Sequence, residues 1–244
     1  MNNIYIYNDN FISLLNLINY LIKNNIKPLN IKSSFYTPTL FDNIISLEIE
    51  ENKNIFNLFE RNILKVIYYV FLSENRNKEL IIYYFVLNYY KYGDTIIYRK
   101  NLKCVCEALK ISTYVSRENH KFKGFVRFKE LETNVLYAEV EPENNILEIL
   151  SMHFIKRLKN EWWIIHDKKR KILSIYDKKH FYITSDDSFK LLNTNESDNE
   201  EKIKNMWITF YKTIGIQMRK NDRCRMNFMP KKYWKNIIEM SDEI

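Results

Sequence analysis

Arg117-Glu118-Asn119-His120-Lys121-Phe122-Lys123-Gly124-Phe125-Val126-Arg127-Phe128 is where the apolar period of this 244-residue chain changes. Before it, apolar residues recur every three or four positions, as on one face of a helix. After it they alternate, as on a half-buried strand. Phe125, Arg127 and Lys129 alternate with Val126, Phe128 and Glu130, and Val135 to Val140 alternates again. Thr133-Asn134 fits a tight turn between those two strands, and Pro142 ends the second. The reading divides the chain into a mostly helical region, residues 1–116, and an α+β region, residues 117–244.

Upstream, Ile4 to Tyr7 reads as a short strand. Asn10 reads as an N-cap for a helix bearing Phe11, Leu14, Leu15, Ile18, Leu21 and Ile22. Leu29 to Lys32 reads as a second strand, and Ser33 to Ser46 as loop. Helical spacing returns from Ile55 to Phe71, from Leu80 to Tyr90 up to Gly93-Asp94, and from Asn101 to Ser116. Downstream, Asn144 or Asn145 is placed to cap a helix through Leu158. Trp162 to His166, Ile172 to Tyr176 and Phe181 to Thr184 read as three strands. Residues 185–200 read as an exposed acidic loop, and Ile203 to Ile214 as a helix ended near Gly215. Arg219 to Asn227 reads as a basic connector, and Pro230 suits a first helical turn. The order β-β-α-β-β-β-α predicts an antiparallel sheet with helices on one face.

Composition narrows the classes. Hydrophobic residues make up 46% of the chain and aromatics 15%, enough for a packed core and too much for a disordered chain. No apolar run reaches the roughly 20 residues of a membrane helix, and no secretory leader is visible, so a soluble cytoplasmic protein is expected. Three cysteines (Cys104, Cys106, Cys224) make no disulfide framework and no zinc-type pair. Three scattered glycines form no phosphate-cradling loop, so no cofactor fingerprint is expected.

The charge is uneven. Net charge is +8, yet residues 201–235 alone carry 10 basic side chains against 2 acidic ones. Such a block favours a polyphosphate partner. Interleaved aromatics add rings on which bases can stack. At the helix-to-strand junction, Arg117, Lys123 and Arg127 are candidate phosphate contacts. Arg225, Lys231 and Lys232 join them near the C-terminus, with Tyr233 or Trp234 as stacking platforms for an extruded base. His120 and Glu118 are the candidate acid–base pair, with Asp167 or Glu139 as assistants.

Several stretches together resemble a known family. They are Tyr7-Asn8-Asp9-Asn10-Phe11, Pro38-Thr39-Leu40-Phe41-Asp42 and the 117–128 stretch. Tyr137-Ala138-Glu139-Val140-Glu141-Pro142, Trp163-Ile164-Ile165-His166-Asp167 and Met229-Pro230-Lys231-Lys232-Tyr233-Trp234-Lys235 complete the set. They resemble a bacterial family of DNA-metabolism proteins whose main domain is classed as of unknown function. The resemblance implies a role in DNA repair or modification beside a radical SAM protein, and kinship with domains fused to uracil-DNA-glycosylase-like domains. Family members often carry Arg where this chain has Lys231 and Lys232, and an ammonium does not grip phosphate bidentately. Three functions follow as expectations: a DNA-binding accessory of repair, a protein-interaction scaffold, and a DNA-damage-processing enzyme of glycosylase or lyase type.

Overall fold

The computed structural model describes residues 2–40, 42–187, 196–197, 199–214 and 216–243. Residues 188–195 and 198, within the stretch expected as an acidic loop, and Gly215, the expected end of a helix, lie outside the described residues. The chain divides into two compact units, Met1–Ser116 and Arg117–Ile244.

In the first unit, β1 (Asn2–Tyr7) lies between β2 (Asn30–Ser33) and β3 (Asp42–Ser46), and both pairings are parallel. The helix α1 (Phe11–Lys23) begins where the Asn10 side chain accepts from the Ser13 N–H at 2.7 Å. Its stripe of Leu14, Leu15, Ile18 and Leu21 is fully buried. That stripe packs in one core with Ile63 and Ile67 of α2 (Arg61–Phe71) and Ile82 and Phe85 of α3 (Lys78–Tyr92). Two expectations need correction. Asp42–Ser46 is a strand rather than loop; it is largely exposed and shows no burial alternation to read. Ile55 to Phe71 is not one helix but a 3-10 turn, Lys53–Leu58, followed by α2, with Phe59 and Glu60 extended between them.

The helix α4 (Lys103–Phe125) carries the chain from the first unit into the second. It was expected to stop at Ser116 and instead runs on to Phe125. The buried positions explain the miss. Val115, Glu118, Asn119, Phe122 and Val126 are all buried and recur at helical spacing, but two of them are polar and hide the apolar period.

The second unit continues with β4 (Lys129–Glu130), β5 (Leu136–Val140), α5 (Leu147–Arg157), β6 (Trp163–Asp167), β7 (Ile172–Tyr176) and β8 (Phe181–Ser185). The strands pair in the order β4-β5-β6-β7-β8. The sheet is mixed rather than antiparallel, because β5 and β6 are parallel. Parallel neighbours need a crossover, and α5 supplies it. One face meets α5, where Ser151 Oγ donates to Ser174 Oγ at 2.7 Å. The other face holds Tyr137, Ile164 and Leu173 around Leu131. With both faces covered, all five residues of β6 are buried. The expected cap of α5 is absent: Ile146 stands at the N-cap, and Asn144 is engaged elsewhere.

The chain ends in α6 (Glu200–Ile214), α7 (Asp222–Phe228) and the 3-10 segments Lys231–Asn236 and Ile238–Glu243. The basic stretch expected as a connector is thus largely helical, with the Asn221 side chain capping α7. The fold is α+β. Among the described residues, no helix is long and apolar enough to cross a membrane.

Candidate nucleic-acid interface

Glu118 sits on the inward side of α4 and is 4% exposed. Its carboxylate accepts from Glu143 N–H at 2.7 Å, Asn144 N–H at 2.9 Å, the Asn144 amide at 2.6 Å and Tyr233 O–H at 2.9 Å. Four donors satisfy this buried carboxyl group. The carboxylate therefore ties three segments together: α4, the loop after β5, and the closing 3-10 turn. Its lone pairs are taken up by the fold rather than turned to solvent.

This tie brings the two predicted stretches side by side. Phe122 and Phe125 meet the Tyr233 ring at centroid distances of 5.0 and 5.8 Å. The predicted cations there are nevertheless largely engaged. Arg127 donates through Nε and Nη2 to both oxygens of Glu239, and through Nη1 to Gly124 O. Burial would lift the Glu239 carboxyl, but the Arg127 guanidinium and the Trp207 indole N–H hold it below the ordinary carboxylate range. Lys232 pairs with Glu143, Lys235 with Glu141, and Arg225 with Asp222 at 3.1 Å. Lys231 and Arg225 lie over the Trp234 ring at 5.5 and 5.0 Å. Tyr233 and Trp234 are 7% and 3% exposed, so neither ring offers a face to an incoming base, contrary to expectation. A single cationic groove uniting all these residues is not formed.

The outward side of α4 is different. Arg117 and His120 are exposed, and Lys121 and Lys123 are half-buried. Lys156 and Arg157 are exposed at the end of α5. His153, also on α5, joins the two helices electrostatically. Burial first, then Lys123 and Arg157, push its imidazole toward the neutral form. Its buried Nε2 has no partner among the described residues. No carboxylate among the described residues pairs with Arg117, Lys121, Lys123, Lys156 or Arg157. The sequence pointed to Arg117, His120 and Lys123 but missed His153 of α5 as a neighbour of Lys123, since only packing brings the two together.

A second polar cluster lies on the opposite face of the sheet from α5. His166 Nδ1 is 2.7 Å from Tyr137 Oη, and its Nε2 is 3.2 Å from Asp186 Oδ2. Tyr137 O–H also reaches Glu139 Oε1 at 2.9 Å, which lies 3.3 Å from Lys168 Nζ. Burial, then Glu139, raises the Tyr137 phenol. Burial favours the neutral Glu139, but the Tyr137 hydrogen bond and Lys168 prevail and hold its carboxyl low. Tyr137 and Glu139 line a cavity of about 410 Å³ with Lys129 and Lys204 on its walls. Such a chain of hydrogen bonds can relay a proton. Glu139 was legible as an acid–base candidate. His166 faces it only because of the parallel β5–β6 register, which pairs the two positions. Asp167, the other expected assistant, is fully buried and holds the β6–β7 turn through Lys169 N–H, Arg170 N–H and the Arg170 guanidinium. Among the described residues, no group of three His, Cys, Asp or Glu is placed to hold a metal ion.

A family model described as a domain of unknown function, DUF4130, matches residues 76–239, more than half of the chain and parts of both units. No curated protein and no solved structure matches.

Proposed function

The chain belongs to the DUF4130 family, and from that premise we propose that it is a nucleic-acid-binding accessory protein of DNA repair or modification. One observation carries the binding reading. On the outward faces of α4 and α5, Arg117, Lys121, Lys123, Lys156 and Arg157 pair with no carboxylate among the described residues, while the other predicted cations are mostly engaged inside the unit. Like charges left uncompensated repel one another, and a polyanion relieves that repulsion. The assignment to repair, and to service beside a radical SAM enzyme, is supported by the resemblance of the sequence motifs alone.

The test is fluorescence anisotropy with labelled single- and double-stranded DNA over a salt series. Binding that weakens steeply with salt is expected. Replacing Arg117, Lys123 and Arg157 by Ala should flatten the log–log salt slope by roughly 2 to 3, about one unit per lost phosphate contact. Replacing Lys231 and Lys232 should change it little. A slope unaltered by the triple replacement, or no binding at low salt, overturns the reading.

A second reading, an enzyme processing damaged DNA, is favoured by the Tyr137–His166–Asp186 chain beside its cavity rather than by His120 and Glu118. Oligonucleotides carrying uracil or an abasic site test it. Turnover abolished by His166→Gln, with the fold intact, supports this reading; no turnover by the parent protein ends it.

A further inference from the structure

We infer that the groove between α6 and α7 is a docking site for an acidic amphipathic helix of a partner protein. Ile203, Met206, Phe210 and Ile214 recur at helical spacing along α6 and are 51%, 72%, 53% and 59% exposed. A helix normally turns such a stripe toward a core. Here the stripe leads into a groove of about 810 Å³, within the range of specific binding sites. Ile214, Ile216 and Phe228 line it together with Arg219 and Lys220. Among the described residues, Asp222 is the only carboxylate lining it, and it pairs with Arg225.

Charge and apolar chemistry together select the occupant. The cationic side chains in the lining, Arg219 and Lys220, select an acidic ligand. The apolar lining mixes aliphatic and aromatic side chains (Tyr211, Ile214, Ile216, Phe228), and the row Ile203, Met206, Phe210 and Ile214 that leads to it has the helical spacing into which the ridge of a second helix packs. A helix whose apolar residues recur at i, i+3, i+4 and i+7, with Asp and Glu on its flanks, meets both demands at once. The exposed patch, rimmed by polar side chains, is of the kind that marks partner surfaces. This site lies on other elements than the α4–α5 cations and goes beyond the nucleic-acid reading.

The test is selection of random peptides of roughly 15 residues, about four helical turns, displayed on phage against the full chain. Binders are removed on a variant carrying Ile214→Asp and Phe228→Ala, both exposed positions, whose folding is verified by circular dichroism and thermal melting. Enriched peptides are expected to show helical apolar spacing and an excess of acidic over basic residues. Their affinity should fall at least tenfold on an Arg219→Glu, Lys220→Glu variant. No enrichment over the first variant, no acidic excess, or indifference to charge reversal overturns the proposal. So does a dimer of the parent protein lost in the variant, or uptake of phosphatidylserine vesicles or oligonucleotides that depends on Phe228. DNA affinity is expected to be unchanged in the Ile214, Phe228 variant, so this inference and the nucleic-acid reading fail by separate results.

Discussion

Residue 118 shows how identity and role separate. A glutamate in a charged run, one position from an arginine and two from a histidine, reads as chemistry. In the fold it is a buried acceptor for four donors. Removing it takes a hydrogen-bond acceptor from two backbone N–H groups, the Asn144 amide and the Tyr233 hydroxyl. Glu118→Ala is therefore expected to cost about 3 kcal/mol or more in urea unfolding, and Tyr233→Phe about 1 kcal/mol. Because both act on one network, the double variant should lose less than the summed losses of the singles. Additive losses would show that the two residues stabilise the unit independently.

At the scale of elements, two glycines with equal room have opposite expectations. A Cβ at Gly124, within α4, or at Gly93, after α3, meets nothing within 4 Å. Gly124 has helical backbone, so Gly124→Ala should stabilise by up to about 1 kcal/mol. Gly93 sits at φ 60° and ψ −151°, a region open almost only to glycine. Gly93→Ala should destabilise by about 1 to 3 kcal/mol. Thermal melts of the two variants shifting in the same direction would contradict one of the two local conformations. Among the elements, α1 and α5 are legible because their apolar residues recur at helical spacing, and α3 and β6 to β8 because apolar or aromatic runs stand between polar turns. The second half of α4 is not, since Glu118 and Asn119 take buried positions. Nor is β3, where exposure on both sides leaves no alternation to follow.

Across the whole molecule, Glu79 in the first unit and Glu139, Glu196 and Glu239 in the second contribute to stability with opposite pH sign. In the first, burial raises the Glu79 carboxyl above the usual glutamate value of 4.5, with Tyr7 as its hydrogen-bond partner. The folded state then resists ionisation, and stability falls as pH rises through 4.5 toward the folded value. In the second, Glu139, Glu196 and Glu239 are held low by their partners. Their contribution is complete above 4.5 and is lost as pH falls through the folded values. Glu239→Gln should thus flatten the acid limb of the stability profile, and Glu79→Gln should remove the decline above it. Melting temperatures recorded against pH check both, and an unchanged profile in either variant refutes the corresponding sign.

Local sequence by itself determined the fold class, most helices and strands, and the basic excess, because periodicity and caps are properties of neighbours along the chain. It also singled out Arg117, His120 and Lys123, but that one helix carries all three emerged only with the fold. Which cations stay open to a ligand was decided only by tertiary packing. Arg127 meets Glu239 and Lys232 meets Glu143 across long stretches of chain. The parallel β5–β6 register sets His166 beside Glu139 and Tyr137. Charge is written residue by residue, but its pairing depends on distances that only the closed fold creates.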